Sequence, residues 1–457
     1  MDSYFNEAIE TMSRADIDAM IEERLRYTVR YAAERSPFYR QWFRAQGIRP
    51  EDIRSHEDLR KLPIISGKTI REHQPPACPG FEMLSVARND VFTIHETSGT
   101  SGTPKTFFLT YQDWLRYAEK YARAFVSQGF GPGDTLVVCA SYGMNVGANT
   151  MTLAAHRIGM TIIPEGKCTF PIRTIEYYKP TGIVGSVFKL LSLARRMKKE
   201  GYEPRESSLK KLVLGGEAFA DESRNYVAEV WGCDAFNTYG STEGTMCGEC
   251  ARVAGLHVPE DLVHLDIYDP TSSAFAADGE CGRMVLTTLL KPGDKCGTLL
   301  LNYDTEDTTV VVSRERCACG RTHMRILNPQ REAETAWVLG TPVNRVDVER
   351  GVFQRENMEY LTGEYESFIT GDTDSHAELK VRVECGSPET CNRLLVTENF
   401  LRTLLKWKPM LKKAYDEGTF RVGIEFVPPE TLEIYRSPGR PKRLIDRRKV
   451  AVAVPPV

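Results

Sequence analysis

Nowhere in the 457 residues does an apolar run reach the length of a transmembrane helix, so a helical membrane span is not expected. The opening, Met1-Asp2-Ser3-Tyr4-Phe5-Asn6-Glu7, lacks the basic and apolar regions of a signal peptide. An excess of one charge is missing too. With 59 Lys and Arg against 62 Asp and Glu, the net charge of -3 offers no global attraction to nucleic acid or to an anionic membrane. The 12 cysteines are spread too thinly for a disulfide scaffold. They are expected to be reduced, in a cytoplasmic protein, with any local cluster either buried or binding metal. There is no internal repeat. What remains is an ordinary globular composition, 41% hydrophobic, on a chain long enough for one large core and a smaller second domain.

The most informative stretch is His95-Glu96-Thr97-Ser98-Gly99-Thr100-Ser101-Gly102-Thr103-Pro104-Lys105. Strand-like runs flank it, Val91 to Ile94 before and Thr106 to Thr110 after. Such a turn offers unhindered backbone N–H groups, several hydroxyls and one cation, the parts needed to hold a polyphosphate. It is not a Walker P-loop, because the spacing of glycines and lysine is wrong.

Around it the chain alternates. Ile17 to Ser36 has the spacing of an amphipathic helix, broken at Ser36-Pro37. Helices are expected over Tyr111–Gln128, Val146–Ile158, Val187–Lys199 and Ala220–Trp231. Strands are expected at Thr135–Cys139, Gly159–Ile163, Ile183–Val184, Leu212–Leu214 and Ala235–Asn237. That order predicts an α/β fold with largely parallel strands and crossover helices. Ligands in such sheets bind beyond the carboxyl ends of the strands, where Gly215-Gly216-Glu217 and Tyr239-Gly240-Ser241-Thr242-Glu243-Gly244 fall. From Leu262 short strands prevail: His264–Tyr268, Arg283–Thr288 and Thr298–Tyr303. Asn328 to Arg331 marks a boundary, giving a large domain over 1–330 and a small α+β domain over 331–457. In the latter, Glu378–Val383 and Phe420–Phe426 are expected as strands and Glu389–Trp407 as a helix.

The Thr97–Lys105 run resembles the phosphate-binding loop of the adenylate-forming superfamily, the acyl-CoA synthetases and their relatives. Tyr31 to Arg40, Gly47-Ile48 and Leu62-Pro63 resemble the opening of phenylacetate-CoA ligases and coenzyme F390 synthetases, one branch of that superfamily. The resemblance implies activation of a carboxylic acid by ATP, with release of pyrophosphate. Thr97, Ser98, Gly99, Thr100, Ser101, Gly102 and Thr103 would hold the β- and γ-phosphates, with Lys105 as a mobile cation. Asn237-Thr238-Tyr239-Gly240-Ser241-Thr242-Glu243 resembles the second signature. By that likeness Tyr239 lies against adenine, Thr242 meets the α-phosphate and Glu243 binds magnesium, a hard ion suited to carboxylate oxygen. Gly216 and Glu217 are expected at the same nucleotide site. Tyr303 to Thr308 resembles the third signature, with Asp307 at the ribose-binding position of an acidic turn. Tyr142, Ser186, Phe188, Gly215 and Phe236 are candidates for the pocket of an aromatic acid.

A further cluster is legible from its residue types. Cys247 and Cys250 precede His257, and Cys317-Ala318-Cys319 comes later. Two thiol-rich corners can close a tetrahedral zinc site, with one candidate ligand too many. The branch pattern of a Cys, a His and a later Cys-x-Cys selects Cys250, His257, Cys317 and Cys319 and leaves out Cys247. A site closed by four protein ligands is structural, a staple between the segment after Tyr239 and the segment near Asp307.

The chain also departs from its relatives. At the family hinge Arg331 matches the arginine, but Ala333 replaces an aspartate and Leu339 a later arginine. Near the C-terminus Arg440 stands where the family has its adenylation lysine, with Lys442 two residues on, and the two cations are not interchangeable. The expected reaction is adenylation of an aryl or arylacetic acid, then acyl transfer to coenzyme A. The alternative keeps adenylation and changes the acceptor to an amine or hydroxyl. The partner is a small carboxylic acid; no nucleic acid or membrane partner is expected. A homodimer is the commonest assembly for a soluble homo-oligomer.

Overall fold

The structure, a computed structural model, describes residues 3–97, 103–166, 169–372, 375–436 and 442–448. Two compact units emerge from its contacts. The first comprises 1–185, 207–216 and 236–329; the second comprises 186–206, 217–235 and 330–457.

In the first unit the opening helix runs Arg14–Arg35, starting where the Ser13 hydroxyl accepts the Asp16 N–H. Ile17, Ile21, Leu25 and Val29 recur at helical spacing and are all buried, against a core that includes Leu286, Leu289 and Leu299 to Leu301. Ser36 ends this helix and caps the next, Pro37–Gln46, so the predicted break is a corner between two helices.

The large sheet runs, edge to edge, Ala274–Phe275, Val263–Asp269, Cys281–Thr288, Tyr303–Ser313, Arg325–Ile326, Leu256–His257, Met246–Glu249, Asp234–Gly240, Lys211–Gly215, Gly182–Gly185, Thr135–Val138 and Thr161–Ile163. Its last four strands pair in parallel. Their residues Leu136, Val137 and Leu212 to Leu214 are fully shielded, as expected where crossover helices cover a parallel sheet. The other half pairs antiparallel. Thr93–Glu96 and Thr106–Leu109 form a separate antiparallel hairpin, with Glu96 opposite Thr106. Residues 97–105 are therefore the connection of that hairpin.

Two expectations shift, and two elements were not foreseen. The strand foreseen at Thr298–Tyr303 begins instead at Tyr303 and continues to Ser313. Asn302 breaks it with φ of 49°, its side-chain amide donating to the Leu62 carbonyl at 2.7 Å. Asp307 accordingly sits on a strand, not in an acidic turn. The hairpin Met246–Glu249 and Leu256–His257 went unforeseen because neither run contains a β-branched residue. The helix Pro171–Tyr178 was missed as well.

In the second unit four strands lie in the order Phe420–Val427, Ala377–Cys385, Leu361–Gly371, Leu444–Asp446. The middle pair is antiparallel and each outer pair is parallel. The helices Arg393–Trp407 and Pro409–Asp416 follow the strand Ala377–Cys385. The central strand Leu361–Gly371 was not foreseen, because it buries two acids. Glu364 is answered by Arg195 and Arg443, each at 2.7 Å, and Glu366 by Arg382.

The expected division at 330 differs from these units, since helices Val187–Lys199 and Asp221–Trp231 group with the C-terminal residues. The reason lies in what they bury. Arg195 donates to the Thr362 carbonyl, and Glu349 accepts from Ala220 N and from the Ser223 hydroxyl. Phe188 packs against Phe353 and Tyr365.

Candidate active site

The base of the Thr97–Lys105 loop is closed by two reciprocal bonds. Thr97 N donates to the Lys105 carbonyl, and Lys105 N donates to the Thr97 hydroxyl, both at 3.0 Å. Ser98 to Gly102 lie outside the described residues. Gln74, buried, braces the loop exit by donating to the Pro104 carbonyl at 2.6 Å and accepting Thr106 N at 2.8 Å. Thr103, just inside the described residues, is exposed.

The Lys105 side chain turns inward. Its Nζ lies 2.7 Å from Glu243 Oε1 and 2.6 Å from the Tyr303 hydroxyl. Both charged side chains of this pair are only 10% exposed, so the attraction is little screened by water. One residue from each of the three motifs thus meets at a single point.

Beside this point the Tyr239 hydroxyl donates to Asp307 Oδ2. Burial, reinforced by the Asp307 charge, pushes that phenol well above its usual range, so it stays a donor. The Asn237 N–H is held by Glu249 Oε2 at 2.6 Å, and the Thr238 hydroxyl accepts from the Gln128 amide at 3.1 Å. The turn after Gly240 is closed by Ser241 N on the Thr245 carbonyl at 2.8 Å. Among the described residues, the buried Ser241 hydroxyl has no hydrogen-bond partner. An orphaned donor in this loop fits a site that takes a phosphate oxygen.

Gly215 ends its strand against the neighbouring strand Asp234–Gly240. A Cβ built there would lie 2.6 Å from the Thr238 carbonyl oxygen, a backbone atom that cannot swing aside. Gly215→Ala is therefore expected to cost about 1–3 kcal/mol, read as a lowered melting temperature, and to raise KM for ATP. An unchanged KM would separate Gly215 from the nucleotide site. Gly216 follows it in the same unit.

Other predicted residues are placed as follows. Phe236 is buried in the strand Asp234–Gly240. Tyr142 is half-buried with its hydroxyl 3.0 Å from Thr152 Oγ1. Ser186, Phe188 and Glu217 belong to the second unit. There Ser186 caps the helix Val187–Lys199 through Lys189 N. The Glu217 carboxylate takes Arg345 Nη1 at 2.9 Å. The ring of Phe188 lies under the Arg443 guanidinium, 3.4 Å from its centroid. Arg331 is exposed on the short strand Gln330–Arg331. Arg440 falls outside the described residues, and Lys442 is exposed. Its neighbour Arg443 is buried, bonded to Glu364 Oε2 at 2.7 Å and to the Tyr365 carbonyl at 2.8 Å.

Cys250, His257, Cys317 and Cys319 converge, all buried, with their ligand atoms within 4.8 Å of one another. Cys250 Sγ is 3.9 Å from Cys317 Sγ, and Cys319 Sγ is 3.6 Å from His257 Nε2. These separations are close to the edges of a tetrahedron built on zinc–sulfur and zinc–nitrogen bonds of roughly 2.0–2.3 Å. Cys247 is not among them. It packs in the apolar core, where burial raises its thiol to about 12.

The AMP-binding enzyme family matches residues 49–288, more than half of the chain. The chain belongs to that family. A phenylacetate-coenzyme A ligase of Thermus thermophilus is 33% identical over 70% of this chain and 71% of its own. One of Escherichia coli is 30% identical over 66% and 68%. Among solved structures, a 2-hydroxyisobutyryl-CoA ligase bound to an acyl-adenylate superposes with a TM-score of 0.83, covering 98% of this chain and 94% of that one. At 24% identity that likeness speaks for the fold alone. This AMP-binding enzyme is an AMP-forming acid ligase of the phenylacetate-CoA ligase branch.

Sequence reasoning passed over Gln74 and Tyr303, which the structure sets against the Thr97–Lys105 segment. Tyr303 stands in the third motif, so its place was readable. Gln74 meets the loop from a segment remote in sequence, and no local pattern marks it.

Proposed function

We propose that the chain couples ATP-driven adenylation of an aryl or arylacetic carboxylate to acyl transfer onto coenzyme A. The convergence of Lys105, Glu243 and Tyr303 beside the Tyr239–Asp307 pair carries the adenylation half. Attack of a carboxylate on the α-phosphate brings two anions together, so the site needs fixed positive charge and rigid alignment. Lys105 supplies the charge, moving from Glu243 to the phosphates when nucleotide arrives. Glu243 would then hold magnesium, which when bound neutralises phosphate charge. Tyr239 and Asp307 would orient the nucleoside.

The names of the curated relatives support coenzyme A as acceptor over an amine or hydroxyl, and phenylacetate as the type of acid. Either Arg440 or Lys442 is the proposed cation on the reacting carboxylate; Lys442 is exposed beside the anchored Arg443, and Arg440 lies outside the described residues. Arg331 and the small domain from 331 onward would serve the second half-reaction. We also assign structural zinc to Cys250, His257, Cys317 and Cys319.

A carboxylic-acid panel read by pyrophosphate release, with and without coenzyme A, tests the reaction. Arylacetic acids are expected to give the highest rates, with sustained turnover only when coenzyme A is present. Equal turnover without it would overturn the acceptor, and silence across the panel would overturn the adenylation reading.

A further inference from the structure

The helix Tyr111–Ser127 lies against the Tyr239–Gly244 loop, with Tyr117 and Lys120 one turn apart on its buried face. Tyr117 donates its hydroxyl to the Thr242 carbonyl at 2.9 Å. Lys120 donates its ammonium to the Gly244 carbonyl. Those two carbonyls flank Glu243 on either side. Gly244 accepts this arrangement because its φ is 105°, a backbone conformation that side chains disfavour. Behind the loop sits a small, partly open cavity of about 20 Å³, lined by Asp113, Arg116, Lys120 and Glu243 together with apolar Leu109 and Leu262. That is room for about one water.

Lys120 is costly to the fold. It is 5% exposed, and among the described residues its ammonium is met by a carbonyl and by the Tyr117 ring at 5.1 Å, not by a carboxylate in ion-pair contact. Burial, and then the charge of Arg116, pushes it down to about 8. An apolar side chain of the same length would avoid that desolvation penalty. The cost is understandable if the ammonium holds the backbone of a loop whose orientation matters to the reaction.

We propose that Tyr117 and Lys120 are positioning residues for adenylation, pinning the carbonyls on both sides of Glu243. When Lys105 leaves Glu243 for the phosphates, the carboxylate loses its partner inside the loop. The two bonds from the helix then keep it in one orientation, so no reorganisation is needed at the moment of reaction. The inference rests on the reading of Glu243 as a residue of the adenylation site.

The test is ATP–pyrophosphate exchange, run with the best acid from the panel, on Tyr117→Phe, Lys120→Met and Glu243→Ala, with melting temperatures measured alongside. Lys120→Met is expected to melt at or above the parent temperature and yet lose about ten- to a hundredfold in kcat. Tyr117→Phe is expected to lose about tenfold. In both, KM for the acid should stay within about twofold, because the lost contact aligns the loop and does not bind the acid. A merely structural role would lower melting temperature and rate together. If Glu243→Ala is inactive while both other variants keep kcat within about twofold of the parent, the positioning role is overturned and the site reading stands. If Glu243→Ala exchanges as fast as the parent, the site reading falls and takes the positioning role with it.

Discussion

Glu243→Ala is expected to slow ATP–pyrophosphate exchange by about a thousandfold, mostly in kcat. The carboxylate is nearly buried, is paired at 2.7 Å with Lys105, and stands at the meeting point of the three motifs. Its loss would remove the oxygen ligand proposed for magnesium. It also leaves the Lys105 ammonium buried against Tyr303 with no carboxylate on its other side. The two consequences can be separated. Stability is read by chemical denaturation of Lys105→Met, Glu243→Gln and the double variant. Each single change should destabilise by stranding its partner, and the double should cost less than their sum by about 1–3 kcal/mol. Catalysis should show the opposite order, with the double variant no faster than either single one. A Glu243→Ala enzyme that keeps a tenth or so of its rate would remove Glu243 from the chemistry.

Loss of the Cys/His cluster is expected to have the largest effect on stability. The purified protein should carry about one equivalent of tightly held zinc. Cys319→Ser should release it and cost about 3 kcal/mol or more, a fall of roughly 6–12 °C in melting temperature. The cluster ties the hairpin Met246–Glu249 and Leu256–His257 to the turn after Tyr303–Ser313. Those strands carry Glu249, which holds Asn237 N, and Asp307, which holds Tyr239. Activity should therefore fall with the metal although no ligand touches the nucleotide site. Cys247→Ser is the control, and should keep its zinc because Cys247 lies outside the cluster. Less than about half an equivalent in the parent protein would refute a site holding metal as firmly as such sites do.

Much of the parallel half of the sheet was legible because its signal is local. Leu136-Val137-Val138 and Leu212-Val213-Leu214 are continuous apolar runs, and the helix Val187–Lys199 between them carries its own period and a Ser186 cap. The convergence of Cys250, His257, Cys317 and Cys319 was legible for a different reason. Thiols and imidazole are few and chemically distinctive, and the resemblance to the branch left out the one candidate too many, Cys247. Leu361–Gly371 was not legible, since a strand holding Glu364 and Glu366 looks polar until Arg195, Arg443 and Arg382 are placed beside them. Nor was the shielded place of Phe188, whose ring is covered by an arginine more than two hundred residues away in sequence.

By itself, the amino-acid order determined which chemistry the chain carries. A hydroxyl- and glycine-rich turn with its lysine, a carboxylate after Tyr239 and an aspartate after Tyr303 are choices of side-chain chemistry, and these are written residue by residue. Only the tertiary structure decided how those groups are held. Lys105 meets Glu243 and Tyr303 because a hairpin outside the main sheet turns its lysine inward, and the helix Tyr111–Ser127 reaches the two carbonyls around Glu243. Such contacts join residues more than a hundred positions apart and are made by backbone carbonyls as often as by side chains. They are set by packing, and no local period or motif encodes them.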